Sequence, residues 1–293
     1  MSATARIHDQ GHRRYEGPRL GVAGAVRSVA VYTFRHLTGI RRRTRAKVLP
    51  WSLIIMAILP ALSFVGFTVL LPDVIVEAAA EQALPDPGEL LGGITLLVFV
   101  GAALAGPAAL VPDRREGMLA HYLAAPLTRT TYLMAKAIAI LTFMGLLTIV
   151  PPLLYSVGKI IAGVGPDGPG EVAVEVGRVL LAGAAMALIL GGLSAVAGSF
   201  ADRQGAGSTI VGGWLLLSAI AIGALQATLD LPAWFGLLDI NRVGVGVAFT
   251  VHGNEGGPIQ HVGSAAMLAG AVAWIAGTWG LALWRTRRQV VTR

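Results

Sequence analysis

Few residues in this chain could do chemistry, and they are thinly spread. The six histidines (His8, His12, His36, His121, His252 and His261) are scattered, and only His252 and His261 share a loop. Two imidazoles make at best a weak metal site, and solvated loop histidines are the plainer reading of both. No Gly-x-x-x-x-Gly-Lys-Ser/Thr run occurs, so the chain carries no phosphate-cradling loop of its own. A His-Glu-x-x-His helix, an Asp-rich diphosphate motif and a pair of carboxylates inside an apolar run are likewise missing. There is no cysteine, which removes disulfides, thiol nucleophiles and thiolate ligands. Ser194, Ser218 and Gln226 are the main polar side chains in otherwise apolar stretches. Such groups more often make hydrogen bonds between packed helices than hold a substrate. The expectation is a chain with no catalytic, cofactor or metal residues, and not an enzyme by itself.

The one dense polar cluster in the middle of the chain is residues 112–136, PDRREGMLAHYLAAPLTRTTYLMAK, between two long apolar runs. Pro112 and Asp113 should end one helix and open the next, since proline is unsuited to a helix interior and aspartate is a good N-cap. Arg114 to Leu123 then reads as a short amphipathic helix, with Met118, Leu119, Tyr122 and Leu123 on one side. Ala125-Pro126 should stop it, because the residue before a proline is pushed out of the α region. Thr128 can cap the following helix, with Leu127 and Tyr132 placed for a hydrophobic staple. The element reads as a stiff connector between two apolar runs. The alternative is an ordinary loop whose basic residues only set membrane orientation.

The elements that must position this connector follow from composition. The 293 residues are 55% hydrophobic and 13% charged, with mean hydropathy +0.69. Soluble domains carry about twice that fraction of charge, so the expectation is an all-α integral membrane protein. Six apolar runs, near 50–72, 91–111, 134–157, 178–200, 208–229 and 263–284, are each long enough to cross a hydrocarbon core of about 30 Å. None holds an ionisable residue in its central part, which argues against proton- or sodium-driven transport. Pro60, Pro107 and Pro151-Pro152 should kink the first three. Small residues recur every four positions in the fourth run (Gly183, Ala187, Gly191, Ala195, Ser199) and the sixth (Ala265, Ala269, Ala273, Gly277). That spacing lets helices approach closely, and packing within the chain is the simpler reading of both stripes.

Residues 1–18 read as a loose tail and 289–293 as a short one. From Arg19 to Ile40 the spacing of Val22, Val26, Val29, Phe34, Leu37 and Ile40 suits an interfacial helix, with Arg27 and Arg35 off the apolar face. Arg35, Arg41, Arg42 and Arg43 are candidate anchors to anionic lipid, at roughly 1 kcal/mol per basic residue near the surface. The net charge of +7 comes with no aromatic platform for stacking bases, so nucleic acid is not an expected partner. The segments between runs one and two, three and four, and five and six carry most acids, including Asp73, Glu77, Glu81, Asp86, Glu89, Asp167, Glu171, Glu175, Asp230, Asp239 and Glu255. Their only bases are Lys159, Arg178 and Arg242. The positive-inside rule then places both termini in the cytoplasm of a multi-pass plasma-membrane protein. Residues 231–238 (LPAWFGLL) are too short to span and read as a re-entrant or interfacial helix. Trp234 and Phe235 suit an interfacial anchor or a gate.

The order of residues in 113–136, an acidic-basic cluster, Glu116-Gly117, a Leu-rich turn, Pro126-Leu127-Thr128-Arg129 and Lys136 opening the next run, resembles the coupling segment of type-2 ATP-binding-cassette (ABC) transporter permeases. The resemblance covers about 20–288, with 19–49 matching an N-terminal elbow helix and 50–288 a six-span domain. It implies a cytoplasmic coupling helix between spans two and three. Arg114, Arg115, Glu116, Gly117, Leu119 and Tyr122 would face a separate ATPase, with Pro126, Leu127 and Arg129 setting the return turn. Asp202 and Arg203 would form a second, smaller contact. The implied partners are two copies of a cytoplasmic ABC ATPase, which bind the ATP and Mg, a second identical or homologous permease half, and membrane lipid. Phe64, Phe67, Phe99, Trp214 and Gln226 are candidates to line a path for a lipid-like or drug-like cargo, though the aromatics could equally face lipid. An ion-coupled carrier or channel is the first alternative, and a membrane-embedded lipid-modifying enzyme the second.

Overall fold

The computed structural model describes residues 17, 20–70, 75, 84–124, 126–166, 168–254, 257–259 and 261–289. Most of the expected tail over 1–18, the end of the first expected span at 71–72, Asp73, Glu77, Glu81, Asp167, Glu255 and residues 290–293 lie outside them. In chain order the α-helices are α1 (Gly21–Leu37), α2 (Arg45–Leu70), α3 (Pro87–Gly93), α4 (Thr95–Arg115), α5 (Met118–Ala124), α6 (Arg129–Thr148), α7 (Val150–Ile161), α8 (Gly168–Phe200), α9 (Gln204–Leu229), α10 (Ile240–His252) and α11 (Ser264–Arg288). A 3-10 turn, Ala233–Leu238, precedes α10. No strand occurs among the described residues. Six helical stretches (α2, α4, α6 with α7, α8, α9 and α11) are long and apolar enough to cross a membrane, the pattern of a multi-pass membrane protein.

Helix α8 is the centre. Some 67% of its apolar window is buried within the chain, against 11% for α9, because its surface is largely glycine, alanine and serine. Gly183, Ala187, Gly191, Ala195 and Ser199 are all buried, as packing within the chain requires. A Cβ added at Gly183 would lie 2.6 Å from the Thr148 carbonyl oxygen, and one at Gly198 2.5 Å from that of Gly106. Helices α4, α6, α10 and α11 all pack on α8. The stripe on α11 behaves otherwise: Ala265, Ala269, Ala273 and Gly277 are exposed. Packing within the chain uses a different face, with Met267, Ala271, Thr278 and Ala282 buried and Trp279 Nε1 donating to the Leu188 carbonyl at 3.0 Å. The small-residue stripe faces out.

Prolines act unevenly. The break expected at Pro151-Pro152 falls at Ile149, which separates α6 from α7. Pro60 and Pro107 sit inside continuous helices. Pro112 and Asp113 do not end α4, contrary to the sequence expectation. The helix runs on to Arg115, because the Glu116 amide still reaches the Pro112 carbonyl at 2.9 Å and Gly117, at φ +67°, makes the turn. The following helix is therefore only Met118–Ala124, not Arg114–Leu123.

Four spans, α2, α6, α8 and α9, start earlier than their apolar runs. The capping pair Thr128–Thr131 opens α6 at Arg129, and α8 begins at Gly168 and carries Glu171, Glu175 and Arg178 on its first turns. Charged residues that reach water do not stop a helix, so the apolar run marks only its inner part. At the opposite end of the bundle, Asp86 and Glu89 form a capping box that starts α3 ahead of α4. The 231–238 segment is a 3-10 turn, and its sequel α10 buries Ile240, Val243, Gly244 and Val247 against α8 and α3.

Candidate docking face at the basic end

The ends of α4, α6, α8 and α11 meet at one end of the bundle, together with α1, α5 and the start of α9. Exposed arginines crowd this end, among them Arg35, Arg41, Arg42, Arg43, Arg115 and Arg203. Its framework is polar and buried. The Lys136 ammonium lies 2.6 Å from Asp113 Oδ2, and the Tyr132 hydroxyl donates to the same oxygen at 2.8 Å. Lys136 is 1% exposed and Asp113 7%. Its ammonium also stands 5.7 Å from the Tyr122 ring and 5.5 Å from the Tyr132 ring, within cation–π range. Ionisable groups are therefore enclosed near the end of this bundle, although each apolar run lacked them in its centre. Asp113 was legible only as a cap, and Lys136 only as the start of a span.

Arg114 makes the second tie. Its guanidinium donates to the carbonyls of Ser199 and Gly198, each at 2.6 Å, and to that of Ala201. A forked cation satisfies the orphan carbonyls at the C-terminus of α8 and meets the negative end of its dipole. Gln289 Nε2 adds a bond to Ser199 O at 3.1 Å, and Arg129 reaches the Arg287 carbonyl. The connector between α4 and α6 is thus fastened to α8 and α11 as well as to its own neighbours.

Of the residues expected to face a partner, Arg115, Glu116, Gly117, Pro126, Asp202 and Arg203 are exposed. Arg114 is turned inward to α8. Leu119 is buried in the main core, and Tyr122 is half-buried against Val29, Ala30, Leu127 and Ala135. The apolar side of α5 is what holds it down, so its outward edge is His121 and Ala124 instead. Burial first, then Asp113, Tyr32 and Glu116, push the Tyr122 hydroxyl up to about 12, so it stays protonated. Burial, then Arg42 and Lys136, hold His36 below the ordinary imidazole range against the pull of Asp113 and Glu116. A neutral His36 fits its geometry, with Arg42 Nη1 donating to Nε2 at 3.2 Å. An open groove of about 620 Å³ runs along this face, with Arg42, His36, Arg115, Glu116, Arg203 and Gly205 in its wall.

The residues expected to line a cargo path are not brought together. Phe64 packs on Tyr155 (ring centroids 4.8 Å apart), while Phe67 and Trp214 are exposed and Phe99 lies partly buried against the core. Gln226 accepts from Arg242 in a cluster that sequence reasoning missed. There, Asp239 is 0% exposed and accepts from the Asn241 amide at 3.0 Å and the Ser218 hydroxyl at 3.1 Å. Asn241 Nδ2 donates to the Leu215 carbonyl at 2.7 Å. This cluster fastens the start of α10 to the middle of α9. In the sequence, Asp239 stood only among the acids between runs five and six, and Ser218 and Gln226 only as polar residues of an apolar run. No family model matches the chain, and no curated protein is significantly similar to it.

Proposed function

We propose that this protein is the membrane-spanning half of a transporter driven by a separate ABC ATPase, and that its basic end is the cytoplasmic docking face. The observation that carries the reading is the fastening of the 112–136 connector. Asp113, Arg114 and Arg129 tie it to α6, α8 and α11, while Arg115, Glu116, His121 and Pro126 stay exposed along its edge. A push on that edge is delivered to the central helix and not absorbed by a loose loop. The resemblance of the 113–136 motif points the same way. ATP and Mg are then the partner's, two permease halves are needed, and export of a hydrophobic or amphipathic cargo is the reading for the apolar spans.

Co-purification with an ATPase encoded beside it tests the proposal, with ATP turnover measured on the complex. Glu116→Arg, at an exposed position, should weaken association or coupling at least tenfold while leaving the thermal unfolding of the bundle unchanged. Full assembly and turnover in that variant would count against the docking assignment. One observation favours a second reading, an ion-coupled carrier: carboxylates Asp113 and Asp239 are buried inside the fold. Cargo uptake into vesicles that needs an ion gradient and no ATPase would establish that reading instead.

A further inference from the structure

The groove at the basic end has chemistry that the docking proposal does not require. Its wall takes one arginine from each of three elements: Arg42 from the connection between α1 and α2, Arg115 from the last residue of α4, and Arg203 from the cap of α9. Arg42 bonds only His36, and among the described residues the side chains of Arg115 and Arg203 enter no hydrogen bond or ion pair. Glu116 is the single carboxylate in the wall, so three guanidinium groups face one negative charge. The start of α9 adds backbone N–H groups, since Arg203 gives it no side-chain cap. An anion is the ligand this wall fits.

Position selects the anion. Arg115 and Arg203 stand at the ends of membrane-length helices and Arg42 just before the start of another, and lipid phosphates lie where such apolar spans end. Exposed leucine and isoleucine continue along the flank of α9 below the groove, at Ile210, Leu216, Leu217 and Ile220. A ligand seated here therefore meets charge at its head and an apolar flank beneath it. We infer that this groove binds the phosphate head group of an anionic phospholipid, with Arg42, Arg115 and Arg203 as its ligands and the acyl chains along α9. Basic pockets between membrane helices take such head groups by this chemistry. The site needs no ATPase, so it stands or falls separately from the proposed function.

The test uses the full chain alone, in mixed micelles of phosphatidylcholine and phosphatidylglycerol, with retained lipid counted by native mass spectrometry. Retention of phosphatidylglycerol should exceed that of phosphatidylcholine, and each of Arg42→Gln, Arg115→Gln and Arg203→Gln should lower it about fivefold. A comparison variant, Arg287→Gln/Arg288→Gln, removes two exposed arginines outside the groove and should change it less than twofold. Equal losses in the two sets would overturn the site in favour of a diffuse basic surface. So would binding of inorganic phosphate without any preference for phosphatidylglycerol. Arg203→Gln alone keeps the test valid should the others fold poorly, because no other side chain uses that guanidinium.

Discussion

At the scale of single residues, the protein resolves charge by pairing it. Lys136 and Asp113 are both enclosed, and each would be costly alone, since an unpaired buried charge destabilises by about 3–5 kcal/mol. Replacing both partners by apolar groups of similar size removes that penalty. Asp113→Ala and Lys136→Met should therefore each lower stability by about 3 kcal/mol or more, while Asp113→Leu/Lys136→Met returns to within about 1–2 kcal/mol of the parent. Chemical unfolding in mixed micelles measures all three. A double variant as unstable as the sum of the singles would show that the two charges do not neutralise each other. Tyr132, which donates to the same carboxylate, explains part of why Asp113 was illegible as a core residue. Sequence placed Asp113 beside a proline, where a cap is the ordinary expectation; only the fold brings Lys136 and Tyr132 to it from α6.

At the scale of elements, the closest join is between α4 and α8. The Ser194 hydroxyl enters the hydrogen-bond ladder of α4, accepting from the Gly106 amide at 2.6 Å and donating to the Ala102 carbonyl. Pro107, next along, has no amide to contribute, so this is where the ladder is already weak. A Cβ at Gly106 would sit 1.9 Å from the Ser194 carbonyl oxygen, nearer than packing tolerates. Gly106→Ala should cost roughly 3 kcal/mol or more by forcing the helices apart. Gly212→Ala on α9 meets nothing within 4 Å and should be neutral or slightly stabilising. Thermal unfolding of the two variants separates the cases, and equal midpoints would mean that α4 and α8 are not pressed together as described. The sequence made the six spans and the small face of α8 readable, since apolar length and four-residue spacing are local signals. The outward stripe on α11 was not readable, because spacing says that a face is small and not what lies opposite it. Helix α10 was missed for the reverse reason: thirteen residues broken by glycine, asparagine and arginine give no run long enough to register.

At the scale of the whole molecule, the two ends differ in charge, and that difference makes a claim about the cell. The end formed by α1, α5 and the tips of α4, α9 and α11 carries exposed Arg35, Arg41, Arg42, Arg43, Arg115 and Arg203. The other end carries Asp86, Glu89, Glu175 and Asp230, with Lys159, Arg178 and Arg242 as its bases among the described residues. Arginine and lysine next to spans resist translocation, so the basic end should remain in the cytoplasm. The ATPase docking proposal depends on this orientation, whereas the groove itself does not. The chain has no cysteine, so single thiols report without background. His121→Cys on the outward edge of α5 and Gly170→Cys on the first turn of α8 are exposed sites at opposite ends, and a Cβ at Gly170 meets nothing within 4 Å. A membrane-impermeant maleimide applied to intact cells should label Gly170→Cys fully, and His121→Cys only after the membrane is opened. The reverse pattern would put the fastened connector outside, where no ATP is available to a partner. It would remove the transporter reading while leaving every packing contact described above in place.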